Sequence, residues 1–147
     1  MTKSKKLAAV FCVPLLTWLY FVFSNSLKSK KASAAQSAPL QELVTPPIKS
    51  MGVSNADHVA ELVVRKSAHI AEFFVLTLLC CLVLYFLGKK QKTVLALSAL
   101  FAAVTACIDE TLQIFSQRGA AVKDVFIDLI GVVLAIAAFA VFYKIKK

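Results

Sequence analysis

Four stretches of this chain are apolar for about the twenty residues a helix needs to cross a lipid bilayer. They run from Leu7 to Phe23, Ser67 to Leu87, Thr93 to Phe115 and Val125 to Tyr143. With 59% hydrophobic residues in 147, the chain carries more apolar surface than a soluble domain of this size can bury in one core. Only helices and closed barrels satisfy their backbones in lipid, and the period-two alternation of a barrel strand is absent. The spans therefore predict an all-α fold, a small integral membrane bundle of four transmembrane helices.

The net charge of +9 raises the possibility of a nucleic-acid partner. The basic residues, however, sit at span ends rather than on one amphipathic face or in a binding motif, which argues against nucleic acid. Lys3, Lys5 and Lys6 precede the first span, Lys89, Lys90 and Lys92 fill the loop after the second, and Lys144, Lys146 and Lys147 follow the fourth. Four crossings place all nine on one side in very short segments. Lys28, Lys30, Lys31, Lys49, Arg65, Lys66, Arg118 and Lys123 are spread over longer segments on the other side. This density predicts both termini in the cytoplasm of a multi-pass protein of the bacterial cytoplasmic membrane. Cys12, Cys80, Cys81 and Cys107 lie within spans without a metal or redox spacing and read as small packing residues.

Three segments follow from this pattern. Residues 1–23 form an N-terminal transmembrane anchor, interrupted by Pro14. The alternative, a signal peptide cleaved near Ala32-Ser33-Ala34, fits less well because a lysine-rich stretch separates the apolar run from those alanines. Residues 24–53 read as a partly disordered extracytoplasmic loop, with Pro46-Pro47 and Gly52 breaking any helix. Residues 54–147 form a three-helix membrane core. Ser54 or Asn55 can cap a helix that carries His58 and Glu61 directly into the second span, Gly88 ends that helix, and Gly119 supplies the last turn.

Polar side chains interrupt the last three spans, all at the same end. An ionisable residue at membrane depth costs about 2.5–3.5 kcal/mol on insertion scales, so such residues are rare and usually functional. Arg65, His69 and Glu72 are spaced by four and three and share a helix face, with Lys66 at its edge. Asp109 and Gln113 share a face on the next helix beside Glu110. Asp124 and Asp128 share one on the last, continued by the small residues Gly131 and Ala135. At 1.5 Å per residue, Asp109 lies about 9 Å and Glu72 about 7 Å inside their span ends, so the three faces can meet at one depth. There Arg65, Lys66 and Arg118 would pair with Glu72, Asp109 and Asp124 and present an anion-binding site. His69, Glu72, Asp109 and Glu110 are the candidates for acid–base chemistry. No spacing is diagnostic of a metal, no metal site is assigned, and nothing specifies a cofactor.

At these residues the chain resembles the VanZ-like family of bacterial membrane proteins. The pattern is R-K-x-x-H-x-x-E-[FY] from Arg65 to Phe73, D-E-x-x-Q from Asp109 to Gln113, Arg118, and D-x-x-x-D-x-x-G from Asp124 to Gly131. The likeness covers about residues 60–143. Family members usually carry Asn where this chain has Asp128. The resemblance implies a small cell-envelope membrane protein, often with four spans, and an association with low-level resistance to the glycopeptide teicoplanin.

Three functions are then in view. In the first, the polar cluster near the outer leaflet binds a lipid head group, a lipid-linked cell-wall precursor or the glycopeptide itself, through Arg65, Lys66, His69, Glu72, Asp109, Glu110, Gln113, Arg118, Asp124 and Asp128. In the second, an intramembrane enzyme acts on a lipid phosphate or ester, with His69 as base. The third is a small transporter or assembly scaffold; the almost wholly apolar inner halves of the spans argue against a proton or ion wire unless the protein assembles. Membrane lipids are the partners common to all three.

Overall fold

A computed structural model describes residues 3–116 and 122–145. Five helices follow one another: α1 (Lys3–Ser26), α2 (Lys30–Ser50), α3 (Ala56–Phe86), α4 (Gln91–Phe115) and α5 (Val122–Ile145). No strand occurs among the described residues. Four of them, α1, α3, α4 and α5, are long and apolar enough to cross a bilayer, as their composition predicts. The observed helices extend three of the expected spans by a few residues, and α3 begins well before Ser67, at Ala56, where the expected helix runs directly into the second span. The 31 residues of α3 would measure about 46 Å. That exceeds a hydrocarbon core of about 30 Å, so its first turns reach beyond the apolar layer or the helix tilts.

The order of contacts fixes which ends meet. At one end, Ser4 Oγ bonds the carbonyl of Phe86, and Phe11 stacks on Phe86 with ring centroids 5.3 Å apart. Tyr85 packs edge-on against Phe139, Phe142 and Tyr143. This is the lysine-flanked end. Gly88, at φ 76°, turns the chain from α3 toward α4, a conformation that glycine adopts without strain. At the opposite end, the C-terminal turn of α1 meets α3 and α4, and Ser116 Oγ donates to the carbonyl of Ser26 at 2.8 Å.

Between the ends, Val22, Phe73, Leu76, Ala102, Ala106 and Val132 form the main buried cluster, with contributions from all four apolar helices. A second cluster of Cys81, Val94 and Phe139 lies toward the lysine end. All four cysteines are free; Cys80 and Cys81 are buried in packing positions. Small residues set the closest helix approach. A Cβ on Gly131 would sit 2.2 Å from the backbone oxygen of Ile70, so α5 lies against the α3 backbone itself. Ala135, the next residue of that stripe, is fully buried. Lipid offers no hydrophobic drive for helix association, so contact this close is how such helices bind one another.

Two expectations change. Residues 30–50 are not an irregular loop but a helix, which forms a hairpin with the start of α3 through the turn at Gly52. Ser29 caps its start, accepting from the Ala32 amide at 3.3 Å. Pro39, Pro46 and Pro47 do not break it, because all three lie on its exposed side. There the carbonyls they leave unpaired can bond to water or head groups. α2 lacks the hydropathy of a span. The first helix, in turn, is more than a tether, since Val22 belongs to the main core.

Candidate functional site

The polar faces predicted on three helices converge. His69 on α3, Asp109 on α4 and Asp128 on α5 bring one ligand-type atom each within 4.8 Å of one another. His69 Nδ1 lies 3.1 Å from Asp128 Oδ1 and 4.0 Å from Asp109 Oδ2. Asp109 and Asp128 are 0% and 1% exposed, whereas the His69 side chain is 16% exposed. The histidine is thus the member of the group that reaches toward the surface. A carboxylate oxygen only accepts, so with Asp128 ionised the His69 ring carries its proton on Nδ1.

Asp109 is the hub. Gln113 Nε2, one turn on, donates to its Oδ2 at 2.9 Å, as the four-residue spacing predicts. Its Oδ1 meets the buried hydroxyl of Ser26 from α1. Glu110 is buried beside it. Glu72 accepts from Asn25 Nδ2 at 2.8 Å, and its backbone carbonyl accepts from Trp18 Nε1 at 2.9 Å. Helix α1 therefore supplies three partners, Trp18, Asn25 and Ser26, that the spacing of the charged residues did not reveal. The signal that could have found them is the polar run Ser24-Asn25-Ser26, which ends the first apolar span at the same end as the acids.

The expected pairing of cations with these acids is redistributed. Among the described residues, neither Arg65 nor Lys66 makes an ion pair within 4 Å with Glu72, Asp109 or Asp124. The acids are met instead by His69 and by neutral donors, Asn25 and Ser26 from α1 and Gln113 one turn along α4, whereas Arg65 and Lys66 lie up to two turns before Glu72 on α3. Arg118 lies outside the described residues. Asp124 is half-buried one turn before Asp128.

Arg65 lines a recess of about 150 Å³ between the end of α1, the first turns of α2 and the middle of α3. Lys30, Gln36 and Ser37 border it from α2, and His69 and Glu72 form its polar side toward the buried acids. Lys28 closes one flank, its Nζ 2.7 Å from both Asn25 Oδ1 and Gln36 Oε1. The recess thus offers two cationic side chains, Lys30 and Arg65, with the carboxylates of Glu61 and Glu72 also on its wall.

A profile of the family described as VanZ/LLP1 matches residues 11–143, nearly the whole chain. The chain belongs to the VanZ/LLP1 family. The match reaches well before Arg65, into α1, whose end the geometry also makes part of the polar cluster. No curated protein and no solved structure matches this member of the VanZ/LLP1 family at a significant level. It is a multi-pass membrane protein with four candidate transmembrane helices.

Proposed function

We propose that this VanZ/LLP1 protein works in the bacterial cytoplasmic membrane by holding an anionic, lipid-anchored group in the recess beside α2. The cell-envelope ligands that share this chemistry are a lipid head group, a lipid-linked wall precursor and a lipophilic glycopeptide such as teicoplanin. The observation that carries the reading is Arg65. Its guanidinium borders an open recess without an ion-paired acid among the described residues, and a planar five-donor fork suits a phosphate or carboxylate. Lys30 adds a second cation on the facing helix. The lysine density at the other end favours cytoplasmic termini and a recess that opens outward.

Expression in a teicoplanin-susceptible host tests this reading. The parent chain should raise the inhibitory concentration, and Arg65→Ala and Asp109→Asn should abolish the rise at equal membrane levels. Full protection by both variants would remove the site. A second reading, hydrolysis of a lipid phosphate or ester, draws on His69, held by Asp128 as a general base would be and bordering the recess. Mass spectrometry of lipids and wall precursors from expressing cells distinguishes the two, because an enzyme leaves an altered species and a binding protein does not.

A further inference from the structure

We propose that His69, Asp109 and Asp128 form a binding site for one divalent cation of the manganese–zinc class, set behind the recess. Three side chains from three helices aim at one point, and their donor set is one imidazole and two carboxylates. Donors about 2.0–2.2 Å from a single ion lie about 3 Å apart when adjacent and about 4.3 Å when opposite. The observed 3.1 and 4.0 Å separations from His69 Nδ1 fall in that span, so an ion can be seated with small side-chain shifts.

A second observation points to a ligand. Asp128 is 1% exposed, and its Oδ2 has no hydrogen-bond partner among the described residues. Two carboxylates at a sealed position face a histidine that can contribute at most one positive charge. One negative charge must therefore be met by a proton or by a cation. A proton on Asp128, whether on Oδ2 or on Oδ1 facing His69, would still leave Oδ2 without a partner among the described residues, at the cost of an unmade hydrogen bond. A metal ion answers the charge, and bidentate binding by Asp128 would also engage the orphaned oxygen. The supporting partners are also present: Gln113 and Ser26 hold the Asp109 carboxylate in place, as residues behind metal ligands do. Access runs through the recess, where His69 is the exposed member. On binding, Nδ1 surrenders its proton to solvent there and donates its lone pair to the metal. Ligand spacing along the chain could not show this site, because each helix contributes a single donor.

The test uses the full chain, purified in detergent, stripped with chelator and titrated with Mn²⁺, which favours oxygen and nitrogen over the four thiols. The chain has two histidines, so His58→Ala leaves His69 as its only imidazole. The expected result is one Mn²⁺ per His58→Ala chain, with electron spin-echo modulation from a histidine nitrogen that changes on ¹⁵N-histidine labelling. Asp128→Asn should weaken binding at least about tenfold, the loss seen even when partners behind a ligand are removed. The proposal is overturned if Mn²⁺ fails to bind stoichiometrically, or binds without nitrogen modulation in His58→Ala. It is equally overturned if the ion enters only after Arg118→Gln, for then the protein's own guanidinium fills the seat. The head-group reading is tested separately through Arg65 and stands or falls apart from these results.

Discussion

At Gly131 a single hydrogen atom decides how near two helices come. The Cβ of alanine would lie 2.2 Å from a carbonyl oxygen that belongs to the α3 backbone and cannot rotate away. Gly131→Ala should therefore push α5 off α3 and destabilise the protein by about 1–3 kcal/mol, the usual effect of overpacking. Thermal unfolding in detergent would measure it, and an unchanged midpoint would contradict the packing described. The same displacement carries Asp128 away from His69, so the variant should also lose the function of the polar cluster. Residues of this kind were legible. Gly131 and Ala135 continue a small-residue stripe at helical spacing after Asp128, and Arg65, His69 and Glu72 share a face by number alone. Asn25 and Ser26 were not legible as partners, because nothing in their spacing says which helix α1 will meet.

Among the elements, α2 departs most from expectation. Its composition, rich in Ser, Ala, Lys and Pro, has the low hydropathy of a solvated segment, and three prolines argue against a helix interior. It is helical because a Ser29 cap starts it and Gly52 closes it, and because the prolines fall on its exposed side. No side chain of this helix is buried, so its ends should matter. Removing the cap with Ser29→Ala should cost about 1 kcal/mol of local stability. Hydrogen exchange should then show faster exchange for the first-turn amides of α2 while α4 stays protected. Equal protection in both forms would mean that α2 is held mainly by α3. The apolar helices were legible because composition alone sets their length in lipid, whereas α2 is decided by a cap, a turn and the side on which three residues fall.

For the molecule as a whole, charge and polarity divide between two ends. Lys89, Lys90 and Lys92 flank the aromatic end, and the buried acids lie at the other. Four crossings put the two termini on one side of the membrane, and the lysine density favours the cytoplasm. A fluorescent protein fused after Lys147 should therefore fold and emit, whereas alkaline phosphatase fused at the same place should stay inactive. The reverse pattern would turn the recess inward and remove the envelope reading with it. This orientation rests on sequence statistics, while the convergence of three polar faces is a matter of helix geometry. The two are independent, and the proposed function needs both.

The contact at Gly131 bears on how a guest could reach the recess. Where one backbone rests directly on another there is no slack, and α3 and α5 behave as a fixed post. The other walls of the recess are the end of α1 and the first turns of α2, whose prolines have already given up rungs of its ladder. The segment whose sequence looked least like structure is thus one of the walls a guest would meet.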